Sequence, residues 1–179
     1  MTGNVEGAVA ALREMQQAWQ TVGHAKEALD AVVLVGGTVL NEGEPADSSR
    51  AVAQSGPRVA MLLHRAADQA LSRMRSAVPI PPAIAETSAG YVEAIRHLEP
   101  ASAPYLYNHR GHLMFVKPEE RPFITAELIR ETTFTATENE LKERFAALAE
   151  AGYSEITVQI VPGQEHAIED WGRIRRAFA

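Results

Sequence analysis

The closing stretch of the chain constrains its fold most. A helix-like run over 138–151, a strand-like run over 155–161, a Pro162-Gly163-Gln164-Glu165 turn and a second helix-like run ending at Phe178 follow one another. That order is a βα unit, in which a buried parallel strand delivers its carboxyl end into a loop, and folds built this way place their chemistry at those loops. The strand is predicted from Ile156-Thr157-Val158-Gln159-Ile160-Val161, β-branched at five of six positions and too short for an ordinary helix. The preceding helix has both ends marked. Thr137 and Glu140 form a capping-box pattern, in which hydroxyl and carboxylate each satisfy an orphan backbone donor, and Gly152 stands where a left-handed residue closes a helix. Leu141, Phe145 and Leu148 share one face of it. Beyond the strand, Ile168, Trp171, Ile174, Arg175 and Phe178 recur at helical spacing, with Trp171 expected to pack on the sheet.

With 46% apolar and 22% charged residues, the 179-residue chain is predicted to be soluble and to form a single domain over 1–179. A net charge of -6 supplies no basic stripe for phosphates, so a nucleic-acid partner is not expected. The absence of cysteine removes disulfides, thiolate nucleophiles and cysteine-based zinc sites, and fits a reducing compartment. No apolar run approaches the ~20 residues of a membrane span. The first residues lack the basic start and apolar stretch of a signal peptide, so a cytoplasmic location is expected.

Nearer the start, Val5, Val9, Leu12, Met15 and Trp19 predict a helix that Asn4 can cap. Ala31 to Val35, followed by Gly36-Gly37-Thr38-Val39-Leu40, predicts a second buried strand, bent or bulged at the glycine pair. Ser55-Gly56-Pro57 is expected to open a helix with Val59, Leu62, Leu63, Ala66, Ala70 and Met74 on its buried face. A stiff Pro-rich connector over 78–82 precedes a further helix marked by Tyr91, Ile95 and Leu98 and stopping before Pro100. The stretch over about 76–124 reads as an irregular, insertion-like segment, and a weak third strand lies around 132–136.

Three polar clusters are candidates for chemistry. Between Pro104 and Pro118, aromatics, His109, Arg110 and His112 crowd around Gly111, and such a loop either presents imidazoles and a guanidinium to a ligand or ties down its own backbone. His109 and His112, three apart with no third ligand near in sequence, give only a weak metal signal, and no metal is assigned. In the closing loop, Glu165 reads as a general base or as a dipole-favourable acid in a helix's first turn. Gly163 and the following helix start can hold an anion, which Glu165 would oppose. Asn41, Glu42 and Glu44 line a pocket or form a solvated turn.

Taken together, Asn41-Glu42-Gly43-Glu44-Pro45-Ala46-Asp47-Ser48-Ser49-Arg50, Ser55-Gly56-Pro57, His109-Arg110-Gly111-His112, Val161-Pro162-Gly163-Gln164-Glu165 and Glu169-Asp170-Trp171 resemble the C-terminal half of a luciferase-like flavin-dependent oxidoreductase, over about 29–178. The resemblance implies an α/β chain forming the C-terminal part of a (β/α)8 barrel. It implies FMN or a deazaflavin coenzyme, used for hydride transfer or monooxygenation of a small organic substrate and bound at the carboxyl ends of the strands. On that reading His109 and Glu165 are catalytic, Arg110, Gly163 and Gln164 bind cofactor, and Asn41, Glu42 and His112 contact substrate. A complete barrel takes ~250 residues, so roughly its first half is missing here. The chain is then a piece of a longer product, a partner of a homo-oligomer or second chain that completes the sheet, or a non-catalytic interaction module. Its start at a helix favours the first two. A weaker third reading is a metal hydrolase built on His109 and His112.

Overall fold

The computed structural model describes residues 3–25, 29–72, 80–100 and 102–178. In chain order, these form α1 (Val5–Thr21), β1 (Val32–Val35), β2 (Val39–Leu40), α2 (Ser49–Ser72), α3 (Pro82–Ile95), α4 (Tyr105–Asn108), a 3-10 turn (Arg121–Phe123), α5 (Ala126–Thr132), β3 (Ala136–Thr137), α6 (Glu138–Ala151), β4 (Glu155–Val158) and α7 (Ala167–Arg176). The chain is a helix-rich α/β protein whose strands are short and parallel. They do not close into a barrel among the described residues.

β1 and β2 are two ends of one extended stretch. Val33, Val35 and Val39 face the same side, so the pleat runs on through Gly36 and Gly37 without a slip of register. The carbonyl of Val35 accepts from the N–H of Gln159, and the next carbonyl, that of Gly36, accepts from Phe134. Successive carbonyls of an extended chain point to opposite edges, so β4 and β3 flank this stretch on its two sides, β1 pairing with β4 and β2 with β3. The expected bend at the glycines is a narrowing instead. A Cβ on Gly37 would strike the backbone carbonyl of Phe134, so glycine is what lets β3's lead-in approach.

Two cores lie on the two faces. α1, α6 and α7 cover Val33, Val35 and Val39, with Phe134, Leu141, Phe145, Leu148 and Trp171 in the same cluster. α2, α3 and α5 form the other core with Leu40 and Ile124. Where α2 crosses, Ser55 shares 2.7 Å hydrogen bonds with the hydroxyls of Thr38 and Thr135, a buried knot that fixes the helix to β2 and β3. At the β1–β4 end the same face is open: Val32 and Leu34 are 51% and 40% exposed.

The closing βα unit forms as its sequence predicts. Thr137 and Glu140 make both halves of the capping box, and Gly152 ends α6 at φ +110. Trp171 is buried and stacks on Phe145 with ring centroids 6.0 Å apart. β4, however, stops at Val158 rather than reaching Val161, because its partner ladder ends at Val35. Further readings are corrected. α2 starts at Ser49, six residues before Ser55, and carries Pro57 inside it; Ser48 provides its start, accepting from the N–H of Ala51. α1 forms as its sequence predicts, capped by Asn4; it buries Ala8, Leu12 and Gln16, while Met15 is 44% exposed. The small Ala8 allows the hydroxyl of Tyr153 to donate to its carbonyl, which turns the helix toward α6. Ala70 is exposed rather than buried on α2, and Met74 lies outside the described residues. The segment taken as irregular contains all of α3, with Pro82 in its first turn and Tyr91 and Ile95 buried.

Candidate functional site

A crevice opens where β1 and β4 end side by side. Gly36 follows β1, Gln159 follows β4, and Gln54, Pro57 and Arg58 of α2, Leu113 and Val161 complete its wall around a volume of about 10 Å³. Ligands of open α/β sheets bind at such carboxyl ends. Gln54 is only 5% exposed. Its Nε2 lies 3.1 Å from His166 Nε2, while its Oε1 is buried without a hydrogen-bond partner among the described residues. Buried amide oxygens are ordinarily satisfied, so this acceptor marks a place where a bound water or a ligand donor would fit. Beside it lies a cleft of about 460 Å³ between Val52, Phe115, Val116, Lys117, Arg121 and Gln164.

The loop that walls this cleft also carries a histidine cluster. α4 is a single turn, and the chain then reverses over 109–112, where the N–H of His112 donates to the carbonyl of His109. Gly111 adopts φ +74 here, and a side chain on it would run into the ring of Phe115. The reversal aims both imidazoles at His64 on α2. The Nδ1 atoms of His64 and His112 are 3.2 Å apart, as are those of His109 and His112. The outward nitrogens are held by carboxylates. His64 Nε2–H donates to Glu120 at 2.6 Å, and His109 Nε2–H donates to Asp68 at 2.6 Å.

Behind the histidines stands a buried polar network. Glu120 is wholly buried, pairs with the ammonium of Lys117 and accepts from the backbone N–H of Lys117 at 2.7 Å. Lys117 also donates to the carbonyl of Asn108 at 2.6 Å. Asn108 accepts from Tyr91 and donates to Asp68 and to the carbonyl of His64. Burial alone would raise the Glu120 carboxyl, but hydrogen bonds from His64 and Lys117 outweigh it and hold it below the usual range. Burial also pushes His64 down against the opposing pull of Glu120. His112 is lowered by burial and then by its neighbouring imidazoles. These two rings are therefore biased toward their neutral, electron-donating form.

The predicted site residues divide. His109 and His112 meet in this cluster, and Gln164 lines the cleft. Arg110 is exposed and is not among the lining residues. Glu165 turns back on its own loop, accepting from the N–H of Gly163, whose φ is +82; this bond lowers its carboxyl and makes it a weaker base. Asn41 donates through its backbone and side-chain nitrogens to Glu44 at 3.0 Å each, and Glu42 sits exposed in the same turn. Glu44 in turn binds Arg50, which reaches Asp170 and the carbonyl of Val39. Gln54, His64, Asp68, Lys117 and Glu120 were not singled out from the sequence. One signal was present: His64 and Asp68 stand four apart on one face of a helix, beside the apolar Leu62, Leu63, Ala66 and Ala67.

Comparison of the chain with protein-family models, with curated proteins and with solved structures gave no match.

Proposed function

We propose that the chain is part of a luciferase-like oxidoreductase that binds FMN or a deazaflavin at the carboxyl ends of β1 and β4 and works with a second chain. The observation that carries this reading is the buried, unpartnered Oε1 of Gln54 at that crevice. The ring system of either coenzyme bears an N–H edge that suits such an acceptor, and the adjoining cleft, walled by Val52, Phe115 and Val116 together with Ser49, Lys117, Arg121 and Gln164, has the volume of a small-molecule site. When bound, the coenzyme supplies the hydride chemistry, while Gln54 orients the ring edge and the apolar wall excludes water.

A phosphate tail finds less. Lys117 is committed to Glu120 and Asn108, and both terminal nitrogens of Arg121 donate to carbonyls of Ile124 and Asp47. The phosphate anchor therefore belongs to the second chain in this proposal. Its docking place is the outer edge of β4, where Ile156, Val158, Ile168, Trp171 and Phe178 line an apolar groove of about 570 Å³.

The test is a fluorescence titration of the purified chain with FMN and with a deazaflavin, alone and in the oligomer separated by light scattering. Saturable binding that Gln54→Leu and Phe115→Ala weaken supports the reading. A defined oligomer that binds neither coenzyme overturns it and leaves the second reading, an interaction module, which the same exposed groove favours.

A further inference from the structure

We propose that His64, His109 and His112 form a zinc-class divalent metal site with one open coordination position. The three histidines come from α2 and from the turn after α4, and their ligand atoms all lie within 4.8 Å of one another. Around a tetrahedral zinc with nitrogen ligands, neighbouring donors stand about 3.3–3.4 Å apart. The two Nδ1 pairs here stand at 3.2 Å. Two of the three donor pairs thus stand at ligand spacing, and a cation would draw His64 and His109 together within a span of 4.8 Å.

Proton counting separates this arrangement from an ordinary hydrogen-bonded cluster. The carboxylates of Glu120 and Asp68 only accept, so the Nε2 atoms of His64 and His109 keep their protons, and in the neutral rings both Nδ1 atoms present lone pairs inward. His112 has one Nδ1 proton to give. One inward lone pair, on His64 or on His109, is then left without a donor, a poor arrangement in a largely buried setting and the one a cation resolves. A carboxylate behind a metal-binding imidazole is also the usual supporting shell, fixing the tautomer and raising the basicity of the ligand. Here two of the three rings have one.

The donor set selects the metal class. Three neutral imidazoles without thiolate or carboxylate in the inner set suit zinc, cobalt, nickel or copper rather than magnesium or calcium. His64 is 2% exposed, whereas the His109 side chain is 37% exposed, so the fourth position opens on the His109 side toward solvent. An open position is the mark of a site that takes water or an exogenous donor rather than a closed structural one.

The decisive experiment strips the full chain with a chelator and titrates it with Zn²⁺ against a chromophoric competitor, then with Co²⁺, while following the imidazole nitrogens by NMR. One ion per chain is expected, with the Nδ1 resonances of His64, His109 and His112 shifting and those of His24, His97 and His166 unmoved. His109→Ala with His112→Ala should abolish stoichiometric uptake with an unchanged circular dichroism spectrum, and His97→Ala should retain it. Asp68→Asn should keep the stoichiometry and weaken affinity about 10–100-fold. No uptake by the wild-type chain, or shifts on the other histidines, overturns the proposal. Should the double variant unfold, the wild-type imidazole spectrum decides. The coenzyme titration and this one fail independently, since they read different side chains.

Discussion

The closing βα unit and the network around Glu120 are built in opposite ways. In α6 the decisive contacts are near neighbours: Thr137 with Glu140, and Gly152 closing the last turn three residues after Ala149. In the network, His64 meets Glu120 across 56 positions and His112 across 48, and every partner depends on the 105–120 segment lying against α2. The first region holds together through many small, separable terms. The second is a single buried unit in which a missing member leaves a charge or a donor stranded in low dielectric. Local structure should therefore survive single substitutions that the network does not.

The sharpest way to break that contrast is Glu120→Ala. It leaves the 4%-exposed Lys117 ammonium and the His64 Nε2–H without their common acceptor, and removal of one partner of a buried ion pair costs about 3–5 kcal/mol. Urea unfolding should show this loss, and a loss under 1 kcal/mol would mean that water reaches the network freely. Next in size is Gly37→Ala, whose new Cβ meets the carbonyl of Phe134. Forcing an added methyl into such packing costs about 1–3 kcal/mol, and hydrogen exchange should localise the loosening to the amides of Phe134 and Ala136, which bond to this stretch. Thr137→Ala removes one half of the capping box, for which about 1 kcal/mol is expected, with the Glu120 network unchanged by imidazole NMR. If Thr137→Ala proved as costly as Glu120→Ala, the two regions would not differ in kind.

The same contrast explains what was legible in the sequence. A helix with Thr137, Glu140 and Gly152 at its ends carries its boundaries in residues a few positions apart, so α6 could be read to the residue. The alternation that buries Val33, Val35 and Val39 was equally local. His64 looked like a gap in the apolar face of a helix, because its meaning lies in residues 112 and 120, and no spacing rule links them. Pro57 misled for a related reason: proline commonly opens helices, but here the helix had already begun at Ser49, and contacts with β2, β3 and α3 hold it through the break. Glu165 reads equally as base or cap, and its bond to Gly163 depends on the positive φ of that glycine, which no spacing rule supplies.

The Glu44–Arg50 node stands between the two kinds of region, local within the 41–50 turn yet tied to Asp170 on α7, and its effect is the smallest. Hydrogen bonding to Arg50 holds the Glu44 carboxyl well below its ordinary 4.5, at about 2, with smaller help from the Asn41 backbone and Ser48 and against a modest opposing effect of burial. Because the folded value lies under the unfolded one, the unfolded chain binds more protons between these limits, and stability rises with pH there. The contribution is complete above about pH 4.5 and is lost as pH falls toward 2. Glu44→Gln should flatten that part of the stability curve and leave the slope at neutral pH unaltered, as read from urea midpoints at stepped pH. If the Glu44→Gln curve kept the wild-type slope below pH 4.5, the node would be a surface contact that screening cancels, and the 41–50 turn would owe its shape to Gly43 and the Asn41 backbone alone.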